Sequence, residues 1–189
     1  MTDDEFDEAP RSTGRTALLV AAPVLVVMLA FVWILASSEP ATDRQVSSPL
    51  LDEVAPELKG STITGTGFDL DNRRGQFVVV NFFATWCTPC LREHPELVRF
   101  SERHAAAGDA SVVSIVYDDQ ASDARQFFAE QGGDWPVVLD PDGRVALEYG
   151  VAGIPESFIV APDGTVVAKV IGGVTANGLD QLMREVSAG

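Results

Sequence analysis

Residues 58–189 predict an α/β fold, with helices flanking a mixed central sheet and a hairpin extension at its N-terminal side. Two continuous apolar runs, Phe77–Phe83 (FVVVNFF) and Ser111–Tyr117 (SVVSIVY), have the character of strands buried on both faces. Each is followed by helical patterning, from about Thr88 to Ala107 and from Ala121 to Gln131. The last third carries a hairpin pattern and an amphipathic helix. Alternating β and α elements that end in this way make an α/β sandwich around a mixed sheet.

Taken in order, Ser61–Leu70 (STITGTGFDL) sets β-branched residues around Gly65 and Gly67, the composition of a small hairpin. The Phe77–Phe83 strand and the helix from Thr88 come next, then the Ser111–Tyr117 strand and the Ala121–Gln131 helix, which Gly132-Gly133 terminates. Val137–Leu139 is a short strand before a Pro-Asp-Gly turn. Glu156–Val160 and Thr165–Ile171 flank Ala161-Pro-Asp-Gly164 as a hairpin. Leu179–Val186 closes the chain as an amphipathic helix. No internal repeat is visible.

Upstream of this domain lies Ala17–Ala36 (ALLVAAPVLVVMLAFVWILA), a run of twenty residues without a charge. A helix of that length spans about 30 Å, the thickness of a bilayer's hydrocarbon core. A cleaved signal peptide is the competing reading, with small residues near Ala36-Ser37-Ser38. The length of the run and Trp33 near its end, placed like an interface anchor, favour a retained transmembrane helix. Arg11 and Arg15 precede the run, and Arg44 is the only basic residue soon after it. That asymmetry predicts a cytoplasmic segment at 1–16, an anchor at 17–36, and everything beyond on the extracytoplasmic side of the cell membrane. Residues 37–57, rich in Ser, Pro and acids, read as a linker.

The 189 residues carry 13 Lys+Arg against 28 Asp+Glu, a net charge of −15. So acidic a chain repels phosphate backbones, which argues against nucleic-acid partners. Hydrophobic residues at 46% and charged residues at 22% exclude a wholly disordered protein.

The only cysteines are Cys87 and Cys90, in Trp86-Cys-Thr-Pro-Cys90, where an apolar strand ends and a helix begins. A cysteine at a helix N-terminus meets unpaired N–H groups and the positive end of the macrodipole, which stabilise a thiolate. Exposed Cys87 is therefore the expected nucleophile. Cys90, one turn on and shielded, is the expected resolving thiol. A purely structural disulfide would close too short a loop to constrain the unfolded chain much. A zinc site would need two more ligands, and the only histidines, His94 and His104, sit about 15 Å apart along one helix. No metal is expected. No cofactor is needed either, because the cysteines carry the electrons.

Asn81-Phe-Phe-Ala-Thr-Trp-Cys-Thr-Pro-Cys90 resembles the active-site stretch of thioredoxin-fold proteins, and Pro95 matches the kinking proline of their first helix. Arg92-Glu-His-Pro95, Tyr117-Asp-Asp119 and Tyr149-Gly-Val-Ala-Gly-Ile-Pro-Glu-Ser-Phe158 are similar to the cytochrome c maturation thioredoxins, the CcmG/DsbE group of the TlpA/ResA-like family. The resemblance covers about residues 54–175. It implies a cis peptide at Pro155 packed opposite the disulfide, which leaves the peptide groups at Ile154 free to pair with an extended substrate strand. It also implies that Glu93 and Glu156 flank the active site. A nearby carboxylate disfavours a thiolate and so makes the pair a better reductant; from spacing alone, Glu93 reads first as a solvated helix-face acid. Trp86, Thr88 and Pro89 complete the expected substrate surface beside Cys87. His94, on the Cys90 and Leu97 face, is expected to be partly buried rather than catalytic. Tyr117, Asp118 and Asp119 end a strand on the active-site edge, a plain strand terminus or part of the site.

The resemblance implies a membrane-anchored thiol–disulfide oxidoreductase that reduces apocytochrome c or another extracytoplasmic disulfide protein and is recharged by a membrane thiol–disulfide electron donor. Two alternatives stay open. One is an extracytoplasmic oxidant, against which the uncharged Thr88-Pro89 dipeptide counts, since strong oxidants resembling DsbA carry a His there. The other is a non-catalytic module that binds apocytochrome and uses the disulfide only structurally.

Overall fold

The structure, a computed structural model, describes residues 24–31, 33 and 44–188. It divides into two compact units, Met1–Pro40 and Ala41–Gly189. In the first unit the described residues are helical and their side chains exposed. Among the described residues no helix is long and apolar enough to cross a membrane. The rest of the expected anchor at 17–36, and the segment 1–16, lie outside the described residues.

The second unit is built on a six-stranded sheet in the order β1-β8-β7-β4-β5-β6. Its strands are β1 (Arg44–Gln45), β4 (Phe77–Phe83), β5 (Ala110–Val116), β6 (Val137–Leu139), β7 (Glu156–Val160) and β8 (Val166–Ile171). β4, β5 and β6 run parallel, whereas β7, β8 and β1 add antiparallel, which makes the sheet mixed as expected. β2 (Lys59–Ser61) and β3 (Gly67–Asp69) form the predicted hairpin. A bridge from Thr62 to Val138 places it along the β6 edge. The helices are α1 (Thr88–His104), α2 (Ala121–Gln131), α3 (Arg144–Glu148) and α4 (Ala176–Ala188).

Alternation along β4 explains the layering. Val79 and Phe83 face a core shared with Leu97 and Phe100 of α1, Ala124 and Phe128 of α2, and Leu179 and Met183 of α4. Val78, Val80 and Phe82 face the other core, with Leu58, Phe68, Val145, Tyr149 and Phe158. Each large side chain buried this way stabilises the fold by roughly 1.5–3 kcal/mol. Both faces of β4 are covered by a core, so FVVVNFF reads as one apolar run rather than an alternating one.

Three expectations need correction. Residues 37–57 are not a linker throughout: Arg44–Gln45 pairs with β8, Val54 bridges Thr165, and Leu50, Leu51 and Ala55 pack on the second core. The sheet edge beside β8 offers unpaired backbone groups, and a polar segment can satisfy them whatever its side chains. The turn at Pro141-Asp-Gly143 runs on into α3, whose first N–H groups, at Val145 and Ala146, donate to the Asp140 carboxylate at 3.1 and 2.9 Å. That capping by a residue five positions upstream is invisible to periodicity. The first helix ends at His104 rather than Ala107.

Candidate active site

Cys87 is the N-cap residue of α1, in extended conformation, with Pro89 in the first turn. A proline there removes an N–H that would have no helical partner anyway. Cys87 and Cys90 are joined as a disulfide, S–S 2.04 Å, and the Cys87 sulfur accepts the Cys90 N–H at 3.2 Å. Cys90 is fully buried, but Cys87 is only 4% exposed, less open than the expectation of an exposed nucleophile. The helix-capping hydrogen bond turns its sulfur in toward the first turn. Cys87 remains the more accessible of the two. Beside them in the chain, Trp86 and Thr88 are exposed and Pro89 is half-buried.

The Ile154–Pro155 peptide is cis, as expected. The Pro155 carbonyl accepts the Gly172 N–H at 2.9 Å, and half-buried Ile154 packs against both cores at the sheet end.

The two acids part company. Glu93 is 3% exposed, on the disulfide side of the sheet, and both of its oxygens accept hydrogen bonds: Oε1 from Asn81 Nδ2 at 2.8 Å, Oε2 from the Val174 N–H at 2.9 Å. It is no solvated surface acid. Glu156 is 1% exposed but stands opposite Phe82 in the β4–β7 register, on the face of Phe158 and away from the cysteines. Its Oε2 lies 2.9 Å from Lys169 Nζ, and its Oε1 accepts the Ala152 N–H at 3.2 Å. Of the two acids expected to flank the disulfide, Glu93 lies on its side of the sheet and Glu156 on the other. Strand alternation sends the residue after Pro155 to the other side.

Several residues of the site were not singled out by sequence. Asn81 Nδ2 also donates to Ser157 Oγ at 3.1 Å, and Trp135 Nε1 donates to Ser114 Oγ at 2.9 Å. Asn81, Ser114 and Ser157 are register partners on adjacent strands, so they form a polar row across the sheet that ends on Glu93. The available signal was the presence of polar residues inside apolar strands, where a buried polar group needs a partner. The Tyr117–Asp119 segment is more than a strand terminus. Asp119 Oδ2 accepts from the Thr85 N–H at 2.6 Å and Thr85 Oγ1 at 2.7 Å, its Oδ1 accepts the Gln120 N–H at 2.7 Å, and the Trp86 indole donates to the Asp118 carbonyl at 3.0 Å. This loop holds the turn that delivers Cys87.

His94 is buried, as expected, edge-on to Phe127 and Phe128, with Nε2 3.1 Å from the Gly132 carbonyl. Burial pushes its pKa down, against the pull of that carbonyl. At the opposite end of α1, His104 bridges Asp109 (Nδ1, 2.8 Å) and Asp180 (Nε2, 3.0 Å). Burial there works downward, but the hydrogen bonds to Asp180 and Asp109 win and its pKa is raised.

A cysteine pair capping the helix that follows β4, with a cis-proline just before the adjacent strand β7 of a mixed sheet, defines the class of thioredoxin-like α/β proteins with a redox-competent dithiol. The chain belongs to the Redoxin family, whose profile matches residues 49–182. It is similar to the thiol:disulfide interchange protein CycY of Rhizobium leguminosarum bv. viciae, 36% identical over 72% of this chain and 63% of that protein. The chain thus spans less than two thirds of CycY's length. It is also similar to the thiol:disulfide interchange protein DsbE of Allochromatium vinosum, 33% identical over 70% of this chain and 73% of that one. Among solved structures, a thiol:disulfide interchange protein of the thioredoxin family from Chlorobium tepidum TLS superposes with a TM-score of 0.65 at 26% identity, covering 74% of this chain and 98% of that one.

Proposed function

We propose that this protein is an extracytoplasmic thiol–disulfide oxidoreductase, held to the cell membrane by residues 17–36, that reduces disulfides of apocytochrome c during cytochrome c maturation. The observation that carries the chemistry is the Cys87–Cys90 pair at the N-terminus of α1 with cis Pro155 at the neighbouring strand end. The Cys87 thiolate attacks one sulfur of the substrate disulfide, forming a mixed disulfide and releasing the other substrate sulfur as thiolate. Cys90 then attacks the Cys87 sulfur, frees the second substrate thiol and closes Cys87–Cys90. Two electrons have passed to the substrate. A membrane dithiol donor returns them by the same exchange in reverse. Buried Glu93, a turn beyond Cys90, supports the reducing direction, because a like charge disfavours the thiolates of the reduced form.

The test is the reduction potential of the pair in redox buffers. A value near the thioredoxin range of about −270 mV supports a reductase; one near the DsbA value of about −120 mV favours the oxidant instead. Reduction of a peptide carrying an apocytochrome disulfide should be abolished in Cys87→Ser. Retained function there would make the protein a binding module. Mass analysis of the membrane-bound chain decides the anchor, since an N-terminus near Ser37 would mean cleavage.

A further inference from the structure

Lys169 takes no part in the exchange just described, yet it is among the least exposed charges of the domain. It stands on β8 opposite Phe158 of β7, 7% exposed, with its ammonium 5.0 Å from the Phe158 ring centre. A lysine buried to that degree needs compensation. It finds it in Glu156 Oε2 at 2.9 Å and in the Gly150 carbonyl, to which Nζ donates at 3.1 Å. The second Glu156 oxygen accepts the Ala152 N–H at 3.2 Å.

One buried ion pair thus grips both ends of residues 150–152, the stretch that leads into Gly153, Ile154 and cis Pro155. The Gly150 and Val151 N–H groups also donate to the Leu147 and Ala146 carbonyls at 3.0 and 2.9 Å, and Val151 packs on the second core; beyond Val151, Ala152 and Gly153 are exposed and carry no side chain larger than a methyl, so the Ala152 N–H is held by Glu156. On the far side of the cis peptide, the Gly172 N–H holds the Pro155 carbonyl at 2.9 Å.

We propose that the Glu156–Lys169 pair is a positioning clamp for the 150–154 loop: it fixes the backbone of Ile154 where an extended substrate chain pairs with it, and so acts on recognition of polypeptide disulfides more than on the reactivity of the cysteine sulfurs. This rests on the thiol–disulfide function proposed above. Two observations separate it from charge tuning of the sulfurs. The Glu156 carboxylate lies on the sheet face away from the cysteines, and its charge is paired with Lys169 at close range. Main-chain pairing with a peptide depends on loop geometry, whereas attack on a small disulfide needs only an accessible sulfur.

The test uses the full chain with Glu156→Met and Lys169→Met, singly and together. Amide hydrogen exchange over 150–154 reads the clamp directly: Ala152 should exchange about ten-fold faster once the Glu156 acceptor is gone, in Glu156→Met and in the double variant, the equivalent of one lost hydrogen bond. Kinetics read its purpose. With an extended peptide disulfide, kcat/KM should fall about ten-fold, mostly through KM, and several times further than with a small aryl disulfide. Breaking one side of a buried pair can unfold a domain. The double variant leaves no lone charge and should show the same selective loss. Equal losses on both substrates, or undisturbed Ala152 exchange, would overturn the clamp. A wild-type chain inactive on both substrates would instead overturn the exchange function itself, and the clamp's role in recognition with it.

Discussion

Replacing Glu93 with glutamine probes a residue placed to affect both stability and redox chemistry. The carboxylate is 3% exposed, and its two oxygens accept from Asn81 Nδ2 at 2.8 Å and from the Val174 N–H at 2.9 Å. Glutamine has the same shape but turns one acceptor into a donor. One of the two partners then meets an N–H group instead of an oxygen. Hydrogen bonds to a charged group contribute roughly 1.5–3 kcal/mol, and a buried donor left unpaired costs about 1–3 kcal/mol. A net destabilisation of about 2–3 kcal/mol follows, worth roughly 5–10 °C in Tm for a domain of this size. The redox effect has its own sign. Removing a negative charge one turn from Cys90 stabilises the thiolates, therefore the reduced form, and the potential should rise. For a shift on the order of one pKa unit, about 1.4 kcal/mol, the rise is about 30 mV for a two-electron couple. Thermal unfolding of the oxidised protein and equilibration in glutathione buffers measure the two separately. An unchanged Tm would refute the buried network. A potential that fails to rise would refute the electrostatic role and leave Glu93 a structural acid.

Three further outcomes are expected. At limiting alkylating reagent the reduced protein should be labelled first at Cys87, and Cys90→Ser should accumulate mixed disulfides while Cys87→Ser should not; equal labelling would count against the shielding of Cys90. Asp119→Ala strands the Thr85 N–H, the Thr85 hydroxyl and the Gln120 N–H, so it should cost about 1–3 kcal/mol by denaturant unfolding and slow exchange at Cys87; a variant as stable and as fast as the parent would show that the loop does not hold the turn. His104, whose folded pKa is raised, adds stability that is complete below the ordinary histidine value of about 6.5 and is lost as pH rises through the raised one. His104→Asn should therefore melt below the parent near pH 5.5, by about 1 kcal/mol or less given its partial exposure, and the gap should narrow as pH rises beyond the ordinary histidine range; a gap independent of pH would refute it.

The strands and helices of the domain core were legible because their determinants are local. FVVVNFF can bury both faces only in the middle of a sheet, and Gly132-Gly133 stops a helix wherever it falls. The cysteine pair was legible for the same reason, since a strand end followed by Cys-Thr-Pro-Cys already places Cys87 at a helix N-terminus. What the sequence could not decide was which distant groups meet. Arg44–Gln45 has no strand pattern and becomes a strand because β8 presents a free edge. Asn81, Ser114 and Ser157 are polar residues in three different apolar strands, and only the register lines them up toward Glu93. Glu93 and Glu156 look alike in sequence as acids beside the active-site motifs, yet helix phase turns one toward the disulfide layer, and strand alternation turns the other onto Lys169. Local propensity depends on neighbours a few residues away, whereas the charge and solvation of a buried side chain depend on partners that may be more than seventy residues distant, as Ser157 is from Asn81.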